Sequence, residues 1–223
     1  MHDGDGDKNV YICADMALGS LFQRELEARA ESVERIRRAA HEAHQAVGQL
    51  YGGKFSYGYH LDGVAHWVMV YGGEVCAEVG DVLPMMFGAW FHDVIEDARL
   101  SYHDVLMRAH GLGLDERQAT LGAEIVYALT NEKGRTREER ACARYYEGIR
   151  RTPYAPLVKL ADRVANVCFS TSQEAEGRRM FEVYGGELDV FLKSLRSVNG
   201  DARLRLPEGL VGVLYSFFAE KFG

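Results

Sequence analysis

The segment from Val82 to Trp90 reads VLPMMFGAW and carries no charged residue. A helix that is apolar on every side belongs in a core, so the rest of the chain must enclose it. Directly after it comes FHDVIED, Phe91 to Asp97, with one histidine and three carboxylates around a Val-Ile pair. Continued as one helix from about 82 to 97, this stretch stacks His92 on Glu96 and Asp93 on Asp97, one turn apart in adjacent rows. Unpaired carboxylates at that density repel one another and are expensive to desolvate. A divalent cation in the core resolves the conflict.

An imidazole with carboxylates suits a first-row ion such as Mn²⁺, Fe²⁺ or Zn²⁺. Adjacent His92 and Asp93 fill only part of a coordination shell, so further ligands must come from elsewhere. The candidates are His60 in YGYHLDGVA and Asp162 in VKLADRVAN, the latter set among apolar neighbours. His41, His44, His66, His103 and His110 read as structural or surface residues, and Trp67, Trp90 and Phe91 as core.

The pattern along the chain is helical throughout, and the expected fold class is all-α. Helical stretches are expected at about 18–51, 61–71, 102–109, 115–129 and 172–197, with a bend near Gly185 and Gly186. APLVKLADRVANV and LPEGLVGVLYSFFAEKF read as further helices. Asp81, Ser101 and Asp115 read as N-caps and Pro84 as an early helical residue. YGGKFSYGYH is a Gly-rich loop, and no strand pair is expected. The opening MHDGDGDKN lacks the closing Glu of a calcium loop and reads as a frayed terminus. The expected organisation is an N-terminal extension over 1–30, one domain over 31–200, and a C-terminal helix over 201–223 packed on that domain.

The 223 residues carry a net charge of −7, which argues against a nucleic-acid partner. Residues 131 to 151 run the other way, with seven Lys or Arg against four Glu. Four scattered cysteines, with no C-x-x-C pair, read as free thiols in a reducing compartment. No secretory segment or membrane-spanning run is visible, and a cytoplasmic protein is expected. Oligomeric state is left open.

HDVIED, followed by VKLADR with Asn166 four residues past Asp162, resembles the HD phosphohydrolase domain of the RelA/SpoT family. Gln49, Tyr57 and His60 fall at the spacing that the family shows before its first metal histidine. The resemblance covers about residues 35 to 170 and is nearest to the small stand-alone (p)ppGpp hydrolases. It implies a multi-helix HD-domain bundle and a metal, usually Mn²⁺, held by His60, His92, Asp93 and Asp162. It also implies a catalytic acidic pair, Glu96 and Asp97, and an active-site Asn166 near the scissile phosphate. The chain departs from the pattern in its first loop. Leu61 stands where a Pro is usual, GKFS replaces SGEP, and Tyr51 occupies the place of the Arg that packs on guanine.

The expected substrate contacts are Tyr51, Lys54 and Tyr57 in that loop, with Lys133, Arg140, Lys159 and Arg163 for the phosphates. The function expected from the resemblance is removal of the 3′-diphosphate from a guanosine alarmone. Hydrolysis of another nucleotide, a nucleoside monophosphate or NADPH, is the enzymatic alternative. A non-catalytic sensor of nucleotide and metal is the other. Because Tyr51 can stack on any base, weak base discrimination is expected.

Overall fold

The structure, a computed structural model, describes residues 20–132, 134–173 and 175–219. The Gly-Asp opening, Cys13 and Lys133 lie outside these residues. Helices α1 (20–28), α2 (Ala30–Gln45), α3 (Gly58–Tyr71) and α4 (Val82–Phe91) come first. They are followed by α5 (Val94–Asp97), α6 (Tyr102–Gly111), α7 (Glu116–Leu129), α8 (Arg137–Arg140) and α9 (Ala143–Arg151). The long α10 (Ala155–Thr171) and α11 (Ala175–Leu195), then α12 (Glu208–Ser216), follow. Among the described residues no helix is long and apolar enough to cross a membrane.

Every residue of α4 is buried, as its composition demands. It is enclosed by α2, α3, α7 and α10. Its approach to α7 depends on missing side chains: a Cβ at Gly88 would lie 2.5 Å from Ile125, and one at Gly122 would lie 2.9 Å from Phe87. The start of α10 is fixed by a buried polar lock. Tyr154, at φ 64°, donates its hydroxyl to Asp81 Oδ2 at 2.6 Å, and Arg117 holds Oδ1 at 2.6 Å.

Ser101 and Asp115 each make a full capping box, opening α6 and α7 as expected. Asp81 stands at the N-cap position of α4 as expected, but its side chain caps nothing, because both its oxygens are committed to Tyr154 and Arg117. The first long helix turns at Arg29 and stops at Gln45 rather than Tyr51. The Gly-rich loop after it is a small hairpin, pairing Leu50 with Ser56 and Tyr51 with Phe55. Its turn needs φ 57° at Gly52 and 68° at Gly53, which glycine adopts without strain. Helix α11 runs unbroken through Gly185 and Gly186.

The largest correction falls on the 82–97 helix, which breaks at His92 and Asp93. His92 Nδ1 takes the Ala89 carbonyl at 2.9 Å, the group a continuing helix would offer to the amide of residue 93. The Asp93 carboxylate is drawn inward at the same point, 2.9 Å from His92 Nε2 and 2.6 Å from the Tyr57 hydroxyl. His92 and Glu96 therefore do not share a face: His92 is buried and Glu96 is exposed.

Candidate metal centre

The break in the helix sends His92 and Asp93 toward α3 and α10. His60, on the first turn of α3, brings its Nε2 to 3.3 Å from His92 Nε2 and 3.5 Å from Asp93 Oδ2. Asp162, in the middle of α10, places Oδ1 at 3.4 Å from His60 Nε2 and 3.9 Å from His92 Nε2. Four residues spread from position 60 to position 162 thus bring two imidazole nitrogens and two carboxylate oxygens together.

The spacing of His60, His92 and Asp93, 2.9–3.5 Å between donor atoms, fits a single ion, with Asp162 beside the two histidine nitrogens at 3.4 and 3.9 Å. Donors bound to one first-row cation at about 2.1 Å lie roughly 3.0–3.4 Å from each other. The electrostatics agree. Burial opposes the charged form of His60, but the Asp162 and Asp93 carboxylates outweigh it and lift it to about 9. His92 is raised in the same way, chiefly by Asp93 against its burial. Burial would push both carboxylates up, yet Asp93 is held well below its ordinary value by His92 and His60, and Asp162 by Lys159 and His60. The cluster draws positive charge to its middle, which a divalent cation would supply.

The supporting residues are directional. His92 spends its Nδ1 hydrogen on Ala89, which leaves Nε2 as the lone-pair nitrogen facing the cluster. His60 has no such partner on Nδ1, and its ring is steadied by the Tyr51 ring at 4.7 Å. Tyr57 donates to Asp93, and Lys159 Nζ holds the second oxygen of Asp162 at 3.0 Å. Asp62, two residues past His60, binds Arg37 through both oxygens at 2.9 Å, His41 at 2.9 Å and the Trp90 indole at 3.1 Å. That network ties α2, α3 and α4 together beside the two histidines. Neither Asp62 nor Arg37 carries a sequence signal for this role.

The remaining expected residues divide. Asn166 donates to Asp162 Oδ1 at 2.6 Å and accepts the Tyr51 hydroxyl at 2.8 Å. Tyr51 is sandwiched against His60 and Phe169, with ring centroids 4.7 and 4.2 Å away. This commits its faces to protein neighbours, against the expectation of a stacking wall. Asp97 lies beside the Tyr57 hydroxyl and is raised to about 6, first by burial and then by the charge of Asp93. Glu96 faces elsewhere: it takes the backbone and side-chain amides of Asn131 at 2.7 and 3.0 Å. Lys54 sits exposed in the hairpin turn.

A cavity of about 580 Å³ opens beside the cluster, lined by Asp162, Asn166, Lys159, Arg137, Arg140 and Arg163 among others. Most of its charges are already paired. Arg163 is buried, stacked on Tyr184 and Phe191, and bound to Glu187 at 3.0 Å; Arg137 binds the same glutamate. Among the described residues, Arg140 is the cavity-lining cation without an ion pair.

No family model matches the chain, and no curated protein matches it in sequence. One solved structure similar in fold is that of a metazoan ortholog of SpoT, described as hydrolyzing ppGpp and playing a role in starvation responses. It is 20% identical, with a TM-score of 0.57 over 85% of this chain and 95% of that one. The helix content and this likeness agree: the chain is an all-α, multi-helix bundle similar in fold to that metazoan SpoT ortholog.

Proposed function

We propose that this chain is a metal-dependent phosphohydrolase that acts on a nucleotide, with the 3′-diphosphate of a guanosine alarmone as the best-fitting substrate. The observation that carries the reading is the cluster of His60, His92 and Asp93, with donor atoms 2.9–3.5 Å apart, beside Asp162, which lines a cavity edged by basic side chains. A fold shared with a protein described as hydrolyzing ppGpp supports the substrate class.

A divalent ion, Mn²⁺ in the first instance, would supply Lewis-acid stabilisation of phosphate charge and lower the pKa of the attacking water. Asp97 is suited to accept that water's proton, since a group lifted to about 6 is half-ionised close to neutral pH. Tyr57 fixes the Asp93 carboxylate, while Lys159 and Asn166 fix that of Asp162. Arg140 is placed to meet phosphate oxygens and offset their charge. Glu96 shapes the cavity mouth through Asn131, which lines it.

The test is turnover of a nucleotide panel with Mn²⁺, separating released pyrophosphate from phosphate. Pyrophosphate from guanosine 3′,5′-bis(diphosphate) supports the reading. Phosphate from a 5′-monophosphate or NADPH alone replaces the substrate. No turnover of any nucleotide, with metal bound, removes the enzyme and leaves a binding domain.

A further inference from the structure

His44 is fully buried on the last turn of α2, yet one of its ring nitrogens has no partner. Its Nδ1 donates to the Ala40 carbonyl at 3.0 Å, so the neutral ring turns a bare lone pair outward at Nε2. Burial favours that neutral form. Opposite Nε2, at 4.0 Å, lies Asp97 Oδ2, itself buried and without a partner. With Asp97 ionised, two acceptors therefore face each other and neither supplies a hydrogen.

One water molecule satisfies both. Its two O–H bonds, each reaching an acceptor at about 2.8 Å, span roughly 4–4.5 Å between acceptors. The ring is also held against rotation, because it lies flat on Tyr57 with centroids 4.8 Å apart and planes at 8°. Tyr57 in turn carries the hydroxyl that binds Asp93. One stacked pair thus touches both the ligand carboxylate and the carboxylate expected to take the proton.

We infer that His44 is a positioning residue that holds the Asp97 carboxylate through a single shared water, with Nε2 and Oδ2 as its two acceptors. The inference rests on the proposed catalytic role of Asp97 for its effect on turnover. The water site itself rests only on the two facing acceptors. Directly bonded support would be shorter, but a carboxylate held through water keeps one oxygen free to turn toward the metal centre.

His44→Phe keeps a flat ring on Tyr57 and removes both nitrogens; His44→Gln keeps a polar end that can reach Asp97. We expect kcat to fall about tenfold or more in His44→Phe, with KM and bound Mn²⁺ unchanged, and to recover in large part in His44→Gln. A high-resolution crystal structure of the wild type should show solvent density within hydrogen-bond reach of both atoms. Nitrogen NMR should find His44 protonated on Nδ1 alone. If His44→Phe loses its fold, the glutamine variant, the density and the tautomer still decide. Wild-type kcat in a folded His44→Phe, a proton on Nε2, or no density between the two side chains overturns the inference. If the wild type hydrolyses no nucleotide, the proposed function fails, while the density and tautomer still judge the His44–Asp97 pairing.

Discussion

The Tyr51 hydroxyl donates to Oδ1 of Asn166 at 2.8 Å, joining the first hairpin to the helix that bears Asp162. Tyr51 is therefore a strut, with its ring spent on His60 and Phe169. Tyr51→Phe should cost about 1 kcal/mol for the lost hydrogen bond. It should also leave the ratio of kcat/KM for guanosine and adenosine substrates as in the wild type. A changed ratio would mean that Tyr51 touches the base after all.

Arginines that line one cavity should separate on mutation. Arg163→Ala strips a buried cation from Glu187 and from two aromatic faces, and should cost roughly 2 kcal/mol of stability. Arg140→Ala should leave the unfolding midpoint alone and raise KM about tenfold. Urea unfolding and steady-state kinetics on both variants check this. A normal KM in Arg140→Ala would remove it from the phosphate site.

Metal should stabilise the folded chain. An ion at about a hundred times its Kd adds roughly 2.7 kcal/mol, or about 5–10 °C in Tm for a chain of this size. Calorimetry with Mn²⁺ and with chelator should show that gain in the wild type. It should vanish in Asp162→Ala, which deletes one charged donor.

Asp97 gives the metal-free protein a pH dependence of defined sign. Its folded value of about 6 lies above the roughly 3.9 of an unfolded aspartate, so the folded state holds the proton more tightly. Its contribution to stability is complete below about pH 4 and is lost as the pH rises through 6. In chelator at pH 8, Asp97→Asn should thus be more stable than wild type by about 1–2 kcal/mol, discounted for partial exposure. The difference should close near pH 4. An unfolding series across this range that shows a constant offset would contradict the buried, Asp93-facing setting of Asp97.

The residues that come together at the cluster were legible in the sequence only as a set. His92-Asp93 alone, or Asp162 alone, has an ordinary structural reading, and it is their order and spacing together that point to a site. Caps at Ser101 and Asp115 were legible because capping is local chemistry. The break at His92 was not, since the apolar period continues smoothly across it and only the tertiary pull of Tyr57 and the His92–Ala89 bond reveals it. His44 reads in the sequence as only a structural or surface residue, for the same reason. On α2 it is one of several histidines, and its unpartnered nitrogen exists only once α5 is folded against it. Tyr51 reads in the sequence as a ring that can stack on a base, because nothing in the chain between the two positions signals that Phe169 lies 4.2 Å away.

The central claim is one divalent ion among His60, His92, Asp93 and Asp162. Anomalous diffraction at the manganese edge, from crystals grown with Mn²⁺, tests it most directly. The account predicts one strong peak within bonding distance of His60 Nε2, His92 Nε2, an Asp93 oxygen and Asp162 Oδ1. No peak there, or a peak that leaves Asp162 uncoordinated, would contradict it.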